Sequence, residues 1–379
     1  MDIIFIIGAV QALFIALITF GKKNRPKSDT YLIIWLIMLA AMFTDNYFRN
    51  AEYFFDYPHL IGLTYCLPIV VGPLVYLYVR LMTSPKAKLN PYNYLHFLPG
   101  LALFIFFLFD FYFLDANRKI EYYRTVSHSP TFIFYVSETL INISAPIYTV
   151  FSIIQLRKHK KRIGDNFSYT EKIDLDWLRN ILYVLTITSV FAIGLYFISD
   201  LYRIIPVWFG DNILFIVIII CVFYLGYYSI KQTSIYSLEP ELDKLSHKRE
   251  TSIVAPKYEK SGLSDVDSKK IFNDLLNIMK EKELYLEPEL KLTNVAEEMN
   301  VPGHHISQVI SKHTSSNFYH FINEYRVNSV IEQLKDDQHK EYTLLSIAFG
   351  SGFNSKTSFN TAFKKISGLT PSQFIKKME

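Results

Sequence analysis

The pattern of apolar and polar positions divides this chain near Ile230. Before that point seven long apolar stretches recur, at 3–20, 31–48, 58–82, 92–114, 131–156, 177–199 and 209–230. A bilayer core is crossed by about 20 mostly apolar residues, so the pattern predicts seven transmembrane helices. Their short connections argue against buried helices of a soluble protein. The first stretch, "IIFIIGAVQALFIALITF", follows Met1-Asp2 with no basic segment before it. It has no small-residue cleavage site, and the basic "GKKNRPK" stops it. These features predict a first spanning helix rather than a signal peptide.

After Ile230 the period changes twice. Residues 231–262, "KQTSIYSLEPELDKLSHKRETSIVAPKYEKSG", alternate charges with prolines and hold no lasting apolar period. They read as a tether with one short helix near Glu241 to His247. Residues 263–379 then read as a helical domain. Its opening, "SDVDSKKIFNDLLNIMKEKELYL", has a capping Ser or Asp and places Ile271, Leu275, Ile278 and Met279 on one helix face.

The rest of this domain contains a repeat. Ala296 precedes Asn300 by four positions and then comes Val301; Ala348 precedes Gly352 by four positions and then comes Phe353. A small residue lets two helices cross closely, and Gly or Asn accepts a left-handed turn. Each turn leads to a second helix with a core face: Ile306, Val309 and Ile310 in one copy, Phe359, Ala362, Phe363 and Ile366 in the other. Phe318, Phe321, Ile322, Tyr325 and Leu334 mark a longer helix joining the copies. Helix, tight turn, helix is the helix-turn-helix pattern. One such hairpin is weak evidence; two in tandem are stronger. The predicted fold class is therefore all-α: a seven-helix transmembrane domain (1–230), a cytoplasmic linker (231–262) and a domain with two helix-turn-helix units (263–379).

Charge refines this picture. The chain is 50% hydrophobic, 16% aromatic and 20% charged, and its net charge of +4 says less than where the charges fall. Lys22, Lys23, Arg25 and Lys27 follow the first span, Lys86 and Lys88 the third, and Arg157, Lys158, Lys160, Lys161, Arg162 and Lys172 the fifth. Alternate loops are poorer in basic residues. The basic side is cytoplasmic, which predicts a multi-pass protein of the cell inner membrane with its N-terminus outside and its C-terminal domain in the cytoplasm. From Thr343 to Met378 there is no acidic residue, while Lys356, Lys364, Lys365, Lys376 and Lys377 are present. This predicts a DNA-facing footprint strongest on the second unit.

Within the spans, Pro68, Pro73, Pro99 and Pro146 are expected to kink or loosen helices. Asp45, Asp110, Glu138 and Asp211 fall towards the outer ends. Ionisable residues in spans are costly; Glu138, one turn from Asn142 on the same face, is the deepest. Asp45, Asp110, Glu138 and Asn142 are the candidate lining of an outward-facing signal pocket. The two cysteines, Cys66 and Cys221, sit in apolar runs and read as buried thiols. No Cys/His spacing suits zinc. Neighbouring His304 and His305 should diverge by about 100° on a helix, which argues against a shared metal. No phosphate-cradling glycine loop or nucleophile elbow is present, so neither an enzyme nor a cofactor is expected.

Residues from about 288 to 376 resemble the AraC/XylS family of transcription regulators. The resemblance rests on "NVAEEMNVPGHHISQVI", "NFYHFINEYRV" and, most specifically, "SIAFGSGFNSKTSFNTAFKKISGLTPSQF". The layout of several spans before this domain resembles the membrane-anchored AraC-type regulators of Bacteroidetes. The resemblance implies that each second helix enters a major groove of double-stranded promoter DNA. On this chain the first would expose His304, Ser307 and Gln308, and the second Lys356, Thr357, Asn360 and Thr361. Lys364 and Lys365 follow on the same basic helix. Ser355 falls at the helix N-cap, where it can also bind a phosphate. In the first unit Pro302 and Gly303 replace the usual capping Ser and polar residue, leaving that helix start without its usual cap. The implied function is a one-component regulator coupling an extracytoplasmic or membrane ligand to DNA binding, with the lipid bilayer and RNA polymerase as further partners. The competing reading is a membrane receptor or transporter whose helical tail recruits protein partners.

Overall fold

The computed structural model describes residues 2–23, 25–84, 89–128, 132–171, 173–202, 208–231, 263–335 and 342–378. The linker expected at 231–262, with its short helix near Glu241 to His247, lies outside them except for Lys231. The chain forms two compact units: Met1–Arg157 with Leu175–Tyr236, and Lys158–Asp174 with Ser237–Glu379. The division at Ile230 drawn from apolar pattern therefore omits one internal stretch, 158–174, that the structure adds to the C-terminal unit.

In the first unit the helices are α1 (Asp2–Phe20), α2 (Lys27–Asn50), α3 (Leu67–Thr83), α4 (Leu98–Phe107), α5 (Ala116–His128), α6 (Phe132–Asn166), α7 (Asp176–Tyr202) and α8 (Trp208–Lys231); α6 runs on into the second unit. Its core gathers Phe5, Leu36, Phe43, Val79, Leu178 and Leu182. The outward faces are also apolar: Ile3, Leu17, Phe109, Phe132, Ile187 and Phe197 are 62% to 84% exposed. A surface this apolar suits lipid rather than water.

Among the described residues, five helices are long and apolar enough to cross a membrane: Ile3–Phe20, Lys27–Asn50, Pro91–Tyr112, Phe132–Asn166 and Asp176–Leu195. Leu67–Thr83 and Asn212–Tyr228 are apolar but shorter. The stretch expected to span from 58 instead turns through Pro58–Leu60 and Gly62, whose φ is +73°, and starts its helix only at Leu67. Proline and a left-handed glycine interrupt the helix there despite the apolar composition. The fourth stretch enters through a 3-10 segment, Pro91–Phe97, and leaves through a π turn, Leu108–Tyr112. Helix α5, in a segment read from sequence as a loop, has a marked apolar face. The side chain of Asp211 lies outside the description.

The prolines divide into two kinds. Pro68 and Pro99 occupy the first turns of α3 and α4, where no backbone bond is lost. Pro73 and Pro146 lie inside helices. Pro73 leaves the carbonyl of Ile69 without its helical donor, and the Ser144 hydroxyl of α6 donates to that oxygen at 2.8 Å. A neighbouring helix thus repairs the break.

The second unit contains α9 (Asp265–Glu281), α10 (Leu292–Met299), α11 (Gly303–Thr314), α12 (Phe318–Lys335), α13 (Leu344–Gly350), α14 (Lys356–Ser367) and α15 (Pro371–Met378). Ser264 caps α9 by accepting from the Asp267 amide at 3.1 Å. The joining helix α12 feeds two cores. Phe318, Phe321 and Ile322 pack with Leu275, Val295 and Ile306; Val327, Val330 and Leu334 pack with Ile347, Phe359 and Phe363.

Candidate nucleic-acid interface

The two hairpins close by the same backbone device. After α10, Asn300 takes φ +50° and the Val301 amide donates to the Ala296 carbonyl at 3.0 Å. After α13, Gly352 takes φ +90° and the Phe353 amide donates to the Ala348 carbonyl at 3.1 Å. Gly352 is further constrained, because a Cβ there would lie 2.4 Å from the Tyr285 carbonyl oxygen. Only glycine allows the second hairpin to approach the backbone before α10.

The helix after each turn presents a polar face. In α11, His304 and Gln308 are exposed, Ser307 is half-buried, and Ile306, Val309 and Ile310 face the core. In α14, Lys356, Thr357, Asn360, Thr361, Lys364 and Lys365 are exposed, while Ser358, Phe359, Ala362 and Phe363 are buried. Ile366, assigned from sequence to that core face, is 37% exposed. Among the described residues no hydrogen bond or ion pair engages the side chains of Gln308, Lys356, Thr357, Asn360, Thr361 or Lys364. They are available to a partner.

Ser355 caps α14, its hydroxyl accepting from the Ser358 amide at 3.0 Å. Helix α11 starts without such a cap: Pro302, at φ −56° and ψ 132°, precedes Gly303, and the His305 amide donates to the Pro302 carbonyl at 2.9 Å. The missing cap does not prevent the helix, which starts at Gly303. The His304 and His305 rings do not diverge as helical spacing predicts; their centroids are 4.2 Å apart, edge to face.

Near these helices, the Lys365 ammonium donates to the Nε2 atom of His320 at 2.8 Å, which requires a neutral imidazole. Burial, and then the Lys365 charge, lower the His320 pKa. Asp265 and Lys312 pair at the unit's surface, and that bond holds the carboxyl below its usual range.

Sequence reasoning missed Arg326. It is 1% exposed and sits where the two cores meet, over the Phe353 ring at 5.9 Å. Its Nε donates to the Tyr285 carbonyl at 2.7 Å and its Nη2 to the Glu287 carbonyl at 2.6 Å. Burial pulls its pKa down to about 10, so the guanidinium stays charged at neutral pH. Asn323, one turn earlier on the same face, is buried as well.

The four candidate signal residues sit in the first unit. Asp45 pairs with Arg49 at 3.1 Å and also reaches Thr64. Asp110 accepts from the Tyr122 hydroxyl at 3.2 Å, and Glu138 accepts from Asn142 at 3.4 Å. Tyr65, beside Glu138, and Tyr122, beside Asp110, pack on one aromatic cluster that includes Phe107 and Phe111. A cavity of about 240 Å³ lies elsewhere, lined by Ile69, His96, Pro99, Ser144, Tyr148 and Phe151 among others, and by none of the four.

Residues 295–377 match a family model described as a helix-turn-helix domain. The match begins within α10 and runs into α15, and it supports an AraC/XylS-type DNA-binding transcription regulator rather than an enzyme. No curated protein matches the chain. A solved structure from Listeria innocua, described as a protein of unknown function, covers 28% of this chain and 94% of its own at 27% identity. Its TM-score is 0.24, too low to establish a common fold.

Proposed function

We propose that this protein is a membrane-held one-component transcription regulator. Its apolar unit senses a ligand from outside the cytoplasm or within the membrane, and its C-terminal unit binds promoter DNA in the cytoplasm. The observation that carries this reading is the pair of like-built hairpins on one joining helix, the second of them basic and free of acidic residues from Thr343 to Met378. Both hairpins act as helix-turn-helix units. Their second helices, α11 and α14, enter successive major grooves, with Gln308, Lys356, Thr357, Asn360 and Thr361 at base edges and Lys364 and Lys365 near phosphates. Ser355 accepts an amide as cap and can still donate its O–H to a phosphate.

The reading is tested on the full chain in lipid nanodiscs. Binding to random duplex DNA should weaken steeply as salt rises, because each phosphate contact releases counterions. Salt-independent binding, or none, would favour a tail that recruits proteins. For sensing, Glu138 at the rim of the aromatic cluster is the proposed key group. Glu138→Gln should alter the response of a promoter reporter while leaving DNA affinity unchanged; an unaltered response removes Glu138 from sensing.

A further inference from the structure

The loop between α6 and α7 is part of the C-terminal unit, although some 120 residues of chain separate it from α10. One backbone bridge and five hydrogen bonds seat it there. Phe167 forms an isolated antiparallel bridge with Lys291. The Ser168 amide and hydroxyl both donate to the Leu290 carbonyl, at 3.1 and 2.8 Å. The Ser168 carbonyl accepts from Asn323 at 3.2 Å and from Nη1 of Arg326 at 3.3 Å. The Ser168 hydroxyl also accepts from Nη2 of Arg326 at 3.0 Å.

This is a built site rather than a brushing contact. Ser168 is fully buried, and Phe167, Tyr169 and Ile173 are 2% to 6% exposed. One serine satisfies two nitrogens of a buried guanidinium, whose unpaired burial would be costly. Gly164 fits closely as well, since a Cβ there would lie 2.8 Å from the Asn317 side-chain nitrogen.

The position of the segment matters more than its strength. Asn317 lies three residues beyond the end of α11. Tyr319 faces both Thr170 of the loop and Ser358 in the first turn of α14. Residues 164–170 therefore run from the end of one reading helix to the start of the other, over the N-terminal end of α12. On the DNA-binding reading proposed above, a duplex engaging both helices would bring its phosphate backbone to that gap.

We propose that residues 158–174 are an internal strap that docks on the Leu290–Asn323–Arg326 surface and competes with DNA. The inference rests on the DNA-binding reading above. Both ends of the strap continue directly into apolar helices, α6 and α7. A signal that shifts those helices pulls the strap from its seat and frees the gap. If the free state is only fractionally populated, apparent DNA affinity falls by that fraction; a strap docked nine-tenths of the time weakens binding about tenfold.

Two measurements on the full chain in nanodiscs test this. Ser168→Arg, which sets a second guanidinium against Arg326, and Gly164→Leu, which collides with Asn317, should each tighten binding to duplex DNA by about tenfold. A misfolded variant cannot give tighter binding. In the unmutated chain, hydrogen exchange at the Ser168 amide should accelerate when saturating DNA is added at low salt. DNA binding with Ser168 still protected, or equal or weaker binding by both variants, overturns the strap and leaves the DNA-binding reading intact. No DNA binding by any of the three proteins overturns that reading and the strap with it.

Discussion

Asn360 and Lys356 stand on the outer face of α14, opposite the buried Phe359 and Phe363. Replacement of either by Ala should cost about 1–3 kcal/mol on the preferred site and relax specificity at one position. Lys365→Ala should instead weaken all sequences alike. Competition binding with single-base variants distinguishes the two outcomes; unchanged preference in both Asn360→Ala and Lys356→Ala would remove α14 from base reading. His320 makes a pH prediction. Its native pKa lies below the ordinary histidine value because of burial and Lys365. Below about pH 6.5 the unfolded chain takes up this proton before the folded one does. The contribution of His320 to stability is therefore complete above that value and declines as pH falls towards the native pKa. Thermal melts of the full chain between pH 5 and 7.5 should show this decline, and His320→Gln should flatten it. The exposure of Asn360 and Lys356 was legible in sequence, because helical spacing alone decides it. Arg326 was not, because its partners are carbonyls of Tyr285, Glu287 and Ser168, which no local pattern reveals.

At the scale of elements, the hairpins were the easiest feature to read. Ala296–Asn300 and Ala348–Gly352 encode a close helix crossing and a left-handed turn at fixed spacing, and the structure forms both turns with one hydrogen-bond pattern. Gly352→Ala should destabilise the C-terminal unit by at least about 2 kcal/mol, through both its φ and the clash with the Tyr285 carbonyl. Asn300→Gly, which merely relieves a strained φ, should be nearly neutral; similar melting losses for both would show that the turn is not the cause. The apolar helices were read less well. Composition identifies apolar stretches, but their ends depend on turns such as Pro58–Leu60 and Gly62, and on whether a proline falls in a first turn, like Pro68, or in an interior, like Pro73. The continuation of α6 to Asn166 was hidden for a related reason. Its basic last turns look like a loop after a span, yet they form helix and enter the other unit.

At the scale of the whole molecule, sequence showed two regions of opposite solvent preference and the structure adds that the second borrows residues 158–174 from the first. Such a contact links residues more than a hundred positions apart, so neither period nor composition can announce it. Orientation remains a proposal from the basic loops. Reporter fusions active only outside the cytoplasm should be active after Tyr57 and silent after Ser84 and Lys231; the reverse pattern would put the helix-turn-helix region on the wrong side for DNA. The most direct test of the account is selection from a random duplex pool by the full chain in nanodiscs. Two reading helices on one joining helix should enrich a site with two specified segments about one helical turn, roughly 34 Å, apart and without dyad symmetry. Recovery of unselected sequence, or of a single half-site per monomer, would contradict it.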